Sequence, residues 1–232
     1  MFKKIKIIMP IIALSGSVAV FASSKAEEEF EKAWKNTAYT QIQLEDVDIN
    51  RVLKEHYRTS KPVNFTSTML WDMEVKKAWD PKSYIPYVVR EGKSWGKKRL
   101  ENGDDMFARS SEQKQWLKQD IYEDVFEEVY VNHREQKVTF IGTKILKNAY
   151  GKPIKLSNHQ PVFYVEHSVK GTKENPLNGW RIVHLTKAKD QMLIEHFKKF
   201  NDSKRLPKFV EIYIEKDLKI SLVHIGGNHV SI

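Results

Sequence analysis

The chain has 232 residues, 41% of them hydrophobic and 30% charged, with a formal net charge of +9 at pH 7. Together with six Trp, nine Tyr and eleven Phe, this composition excludes a disordered chain and suits one substantial core. The absence of cysteine excludes disulfide staples, a lipoprotein anchor, thiol nucleophiles, iron–sulfur clusters and cysteine-based zinc sites.

Residues 1–22 stand apart from the rest. Lys3, Lys4 and Lys6 precede an apolar run from Ile7 to Ala22, and Val20-Phe21-Ala22 ends it with small residues where signal peptidase favours them. This reads as a secretory signal peptide. The competing reading, an uncleaved membrane anchor, is disfavoured by the short run and by Pro10, Ser15 and Gly16. Residues 23–232 are then one exported α+β domain, periplasmic or secreted. Three lysines and no acid leave with the signal, so the charge falls from +9 to +6.

After the signal, Ser24-Lys-Ala-Glu27 has capping-box spacing and opens an amphipathic helix through Phe30, Ala33, Trp34 and Thr37. A second helix is expected from about Asp48 to Tyr57. A third runs from Thr66 to Trp79 with Trp71, Val75, Ala78 and Trp79 on one side. Tyr84 to Val89 reads as extended, with Pro86 suggesting an edge position. Arg90 to Asp105, rich in Gly, Lys and acids, reads as a mobile loop over a site, and Ser111 to Lys118 as a short helix.

The period then changes to two. Val125–Val131, the run Lys137–Leu146, Pro161–Val169 and Trp180–Thr186 predict four strands in an antiparallel meander. A C-terminal helix follows, with Met192, Leu193, His196, Phe197 and Phe200 on one face. Residues 203–232 are expected to form a β-hairpin extension turning at Lys216-Asp217, with a loose end. The fold class is therefore α+β: N-terminal helices packed on a curved antiparallel sheet, plus a C-terminal helix and hairpin.

Helices first, then a long meander whose late strand opens Gly179-Trp180-Arg181-Ile182-Val183-His184, resembles the nuclear-transport-factor-2-like superfamily. The resemblance covers roughly Glu27 to Lys187 and implies a cone made by helices packed into a bent sheet. That superfamily hosts dehydratases, isomerases and epoxide hydrolases. It also hosts non-enzymatic modules, including a component of type IV secretion systems, so the resemblance implies no single reaction.

The site expectations centre on two histidines. If Val169 pairs with Trp180, then Val165 faces His184 and His167 faces Ile182, which puts His167 and His184 diagonally on one apolar face with Phe163 and Trp180. Such a pair is a proton-transfer candidate, with core packing as the alternative. Asp72, Glu74 and Asp80 on or beside the third helix are candidate acids, and Trp180, Phe163, Trp71 and Trp79 are candidate ligand-binding residues. Adjacent residues on a strand face opposite ways, so Glu166 points away from His167. A zinc site would need a third ligand such as His159, His133 or Glu166, and the orientation of Glu166 removes the simplest of these sets. No metal and no cofactor are expected, because no GxSxG, HExxH, Walker or dinucleotide motif is present.

Three function classes follow. The first is an exported protein whose cone-like pocket binds a small apolar or amphipathic molecule or a partner segment. The second is a lyase, isomerase or hydrolase using His184 and His167. The third is an envelope or secretion-system assembly module, for which the basic run Gly92–Arg99 and the terminal hairpin would dock an envelope protein. A mild basic excess also suits contact with a membrane surface. Nucleic acid is set aside as a partner for an exported chain. Nothing in the sequence fixes an oligomeric state.

Overall fold

The computed structural model describes residues 24–118, 120–156, 162–199 and 204–225. The expected signal segment, His159, Phe200 and the terminal 226–232 lie outside these residues.

Helix α1 (Lys25–Trp34) begins at the predicted capping box, with the Glu27 amide donating to Ser24 Oγ and the Ser24 amide donating to the Glu27 carboxylate, each at 3.1 Å. Strands β1 (Thr40–Gln43) and β2 (Val47–Asp48) lead to α2 (Ile49–His56), capped by the Asp48 carboxylate. After β3 (Tyr57–Thr59), Thr66 caps α3 (Ser67–Trp79), and Pro81 opens the single turn of α4 (Pro81–Tyr84).

Four long strands follow: β4 (Val89–Arg99), β5 (Asp105–Lys114), β6 (Tyr122–Asn132) and β7 (Lys137–Thr143). A small hairpin of β8 (Ile145–Lys147) and β9 (Pro153–Lys155) interrupts the meander. It resumes with β10 (Phe163–Gly171) and β11 (Pro176–His184). Helices α5 (Gln191–Lys198) and α6 (Lys208–Lys216) and strand β12 (Leu222–His224), which pairs with β3, complete the described chain.

The main sheet runs β1-β11-β10-β7-β6-β5-β4, antiparallel throughout, with β2 also on β11. The expected α+β class with a large curved antiparallel sheet is therefore what the chain adopts. Both faces are covered. Helix α1 packs Phe30 and Ala33 on Ile141 and Val183, while α3, α5 and α6 bury the opposite face around Phe140, Val165, Trp180 and Ile182.

Several local expectations are corrected. Residues 90–105 form no mobile loop: they are mostly β4, the edge strand, whose polar sequence suits an edge and whose two register shifts bend it. The expected helix at Ser111–Lys118 belongs to β5 as far as Lys114, because β4 and β6 pair with it on both sides. The expected extended run Tyr84–Val89 starts as the end of α4 and joins the sheet only at Val89.

The expected C-terminal hairpin is the helix α6. Its buried residues, Phe209, Val210, Tyr213 and Ile214, follow a helical spacing inside β-branched and aromatic letters that suggest a strand. On α5, Leu193 and Phe197 are buried as expected, but Met192 is 67% exposed.

Candidate functional site

The strand pair β10–β11 positions both histidines. Its turn is shorter than the sequence implies, since Gly171 already pairs with Pro176 and takes a left-handed φ of 81° at the bend. The register is accordingly shifted by two residues from the expected one: Val169 faces Asn178, His167 faces Trp180 and Phe163 faces His184. A shift of two preserves parity, so His167 and His184 do share the face covered by α3 and α5. They are not diagonal neighbours, however, but lie four residues apart along the sheet, about 13 Å.

Parity also holds for Glu166. It turns to the α1 face and forms a bidentate ion pair with Arg181, which reaches Glu31 of α1 and lies over the Phe30 and Trp34 rings.

Around His167 lies a buried ionic cluster. Its Nδ1 is 2.9 Å from Glu74 Oε2, Asn178 Nδ2 donates to Glu74 Oε1 at 2.8 Å, and Lys77 Nζ bridges the same carboxylate at 2.8 and 2.9 Å. Glu74 is 0% exposed. Aromatic rings close the cluster: Trp180 stacks on His167 at 4.3 Å, Phe140 lies 5.2 Å from it, and Lys77 Nζ sits 3.6 Å over Phe209.

Burial pushes His167 down to about 4, with the nearby Lys77 ammonium adding to the effect. The ring is therefore neutral at pH 7, and because ionised Glu74 only accepts, Nδ1 carries the hydrogen. Burial also lowers Lys77, to about 8, against the pull of Glu74. For Glu74, burial acts upward, but Lys77 and His167 outweigh it and hold the carboxyl down.

Of the three candidate acids, the structure brings only Glu74 to a histidine. Asp72 accepts from Tyr213 and pairs with Lys76, and Asp80 caps α4. Lys77 and Asn178 were not among the sequence candidates. The readable signal was Lys77 three residues after Glu74, an ion-pair spacing on the buried side of α3.

His184 has a different environment. It stacks on Phe163 at 4.3 Å, is 5% exposed, and neither ring nitrogen has a hydrogen-bond partner. Asp190 Oδ2 stands 3.7 Å from Nδ1, and burial lowers the ring's pKa. Trp180 Nε1 is likewise buried and unpartnered.

Beside Phe163 is a small cavity of about 50 Å³, walled by Trp116, Phe126, Val162, Phe163 and Val165 together with the polar Gln113, Asp124, Glu127 and Thr143. Among the candidate ligand residues, Phe163 alone lines it. Trp180 is sandwiched between His167 and Phe209, Trp71 meets His133 edge-on, and Trp79 meets Phe107 near the surface.

A larger cleft of about 630 Å³ lies beside α1, near the turns of β4–β5 and β6–β7. Its charges are of both signs, Lys137 pairs with Glu27 at 3.0 Å, and the Tyr130 hydroxyl donates to Asp104 at 2.5 Å. The basic run Gly92–Arg99 is also partly neutralised, since Lys97 and Arg99 both pair with Asp105. Among the described residues no group of three His, Asp or Glu side chains is arranged to hold a metal.

No protein-family model and no curated protein matches the chain. Among solved structures, similarity extends to the aromatase/cyclase Zhui from Streptomyces sp. R1128, at 6% identity and TM-score 0.44 over 76% of this chain and 95% of that one. Norcoclaurine synthase from Thalictrum flavum is similar at 8% identity and TM-score 0.39, over 93% and 99% respectively. A START superfamily protein from Mycobacterium smegmatis is similar at 9% identity and TM-score 0.36, over 64% and 90%. At these identities and scores the likenesses carry no functional argument. Of the expected resemblance, the coarser part holds: an α+β fold of helices packed on a curved antiparallel sheet.

Proposed function

We propose that this protein is an exported binding module that takes a small apolar or amphipathic molecule at the Trp116 end of the α5-covered sheet face. One observation carries the reading. On the sheet face that α3, α5 and α6 cover, a cavity persists whose wall joins apolar Trp116, Phe126, Phe163 and Val165 to polar Gln113, Thr143, Asp124 and Glu127. A wall that mixes aromatic rings with amide, hydroxyl and carboxylate groups suits a molecule with both an apolar body and a polar group.

A cavity of about 50 Å³ is far smaller than ligand sites of several hundred Å³. Entry therefore requires the Trp116 indole to leave its contacts with Phe163 at 6.2 Å and Phe197 at 4.7 Å. Export belongs to the same reading and rests on the lysine-led apolar segment ending Val20-Phe21-Ala22. Amino-terminal sequencing of protein recovered from the producing cell's envelope or medium is expected to begin at Ser23.

The binding test uses the amphipathic fluorophore 1-anilinonaphthalene-8-sulfonate. Saturable binding to the native protein is expected, tightened by Trp116→Ala, which widens the cavity, and weakened by Val165→Trp, which fills it. No saturable binding by either the native protein or Trp116→Ala would sink the reading.

The enzymatic alternative has one observation in its favour, the His167 and Glu74 pair at 2.9 Å. Lys77 and Asn178 take the other Glu74 contacts, rings cover the imidazole, and neither cavity borders it. The binding reading therefore stands ahead of it.

A further inference from the structure

Between Glu135 and Glu166 the chain carries no Asp or Glu, but five lysines: Lys137, Lys144, Lys147, Lys152 and Lys155. The last four belong to the β8–β9 hairpin and its approach, and all four are exposed. Among the described residues, none of these four forms an ion pair.

The hairpin is held in a defined shape. β8 and β9 pair Ile145 with Lys155, Leu146 with Ile154 and Lys147 with Pro153. Leu146 and Ile154 thus turn inward, and Ile145, Lys147, Pro153 and Lys155 turn outward. The tip is tied by Asn148, whose amide donates to the Lys152 carbonyl at 2.8 Å and whose side-chain oxygen accepts from the amides of Tyr150 and Lys152. Trp95 of β4 holds the hairpin next to its turn by donating to the Lys147 carbonyl at 2.8 Å.

On this fixed scaffold stand two apolar side chains that burial would favour: Ile145, 56% exposed, and Tyr150 at the tip, 89% exposed. Lysines around an exposed aromatic and an aliphatic residue match the layered chemistry of a lipid surface. Ammonium groups meet anionic head groups, a tyrosine sits at the polar boundary, and an isoleucine enters the acyl layer. A nucleic acid would use the lysines and could stack a base on Tyr150, but it offers nothing for Ile145.

We propose that the β8–β9 hairpin is a peripheral docking site for an anionic lipid bilayer. The inference is independent of the ligand reading, since the hairpin lies outside the small cavity's aromatic wall. Each lysine near an anionic surface is worth about a fivefold gain in partitioning, so removing three costs about a hundredfold.

The test is co-sedimentation of the full chain with vesicles of phosphatidylcholine alone or mixed with phosphatidylglycerol. Lys3, Lys4, Lys6 and the apolar segment are common to native and variant proteins, so their ratio on one vesicle type reads the hairpin alone. Expected are preference for the phosphatidylglycerol vesicles, weakening with salt, about a hundredfold loss in Lys147→Gln/Lys152→Gln/Lys155→Gln, and a smaller loss in Tyr150→Ser. These positions are exposed, and an unchanged melting temperature checks that both variants fold. Equal partitioning of native and triple variant overturns the proposal. So does indifference of the native chain to phosphatidylglycerol, or tighter binding to a single-stranded oligonucleotide than to the vesicles.

Discussion

His167 Nδ1 lies 2.9 Å from Glu74 Oε2, joining the sheet to helix α3 inside the core. Glu74 simultaneously neutralises Lys77, so the carboxylate is the hub of three partners and cannot be removed alone without leaving a buried cation. Glu74→Leu is expected to cost about 3–5 kcal/mol, because an uncompensated buried charge is the expensive half of a broken pair. Glu74→Leu/Lys77→Met should recover most of that loss. Urea unfolding of the two variants checks it, and a double variant no more stable than the single one would refute the account.

Stability should also depend on pH through His167. The ring takes a proton near 6.5 in the unfolded chain but only near 4 in the folded one. Below 6.5 the unfolded state therefore binds more protons, and acid favours it. The contribution is complete above about pH 6.5 and is lost as pH falls toward 4. His184, also lowered by burial, acts in the same direction. Unfolding free energies measured across this window should fall with acid, and His167→Phe should flatten the slope.

Gly142 on β7 is expected to be irreplaceable by alanine. A Cβ there would stand 2.3 Å from the Phe163 carbonyl oxygen, a backbone atom that cannot swing aside. Gly142→Ala must part β7 from β10 beside the small cavity at Phe163, at a cost of about 1–3 kcal/mol. Thermal melting reads the cost, and an unchanged melting temperature would contradict so close an approach of the two strands.

Arg181 is the clamp for helix α1. It pairs with Glu31 and Glu166 and lies over Phe30 and Trp34. In Arg181→Ala, amides of Lys25–Trp34 should exchange hydrogen for deuterium faster, with little change in β6 or β7. A uniform acceleration over the whole sheet would instead mean that Arg181 supports global stability.

What the sequence revealed followed from local rules. Ser24, Asp48 and Thr66 marked three helix starts because a side-chain oxygen at each N-cap satisfies an amide within the next turn. Strand parity put Glu166 opposite His167 whatever the register. Register itself was not readable, because the bend at Gly171 sets it and the polar loop letters extend past the turn into β11. Arg90–Arg99 and Ser111–Lys114 were misread for a related reason: they become strands because a neighbour pairs with them, not because of hydrophobic alternation. In the buried cluster around Glu74 only the Glu74 and Lys77 spacing on α3 was readable, because Asn178 and His167 come from strands about a hundred residues further on. The unpartnered nitrogens of His184 are visible only once the fold has surrounded them.

Strand β1 ties the beginning of the domain to its end: Thr40 Oγ1 lies 3.1 Å from Thr186 Oγ1, 146 residues further on. Strands β4 to β7 can close one hairpin after another as they emerge, but β1 has no partner until β11 has been made. The loop closed by that pairing is among the longest the chain can form, and such closures slow folding. The segment synthesised early thus docks late. Until it does, the outer edge of β11 stays open to the wrong strand, making the interval before closure the chain's most aggregation-exposed moment.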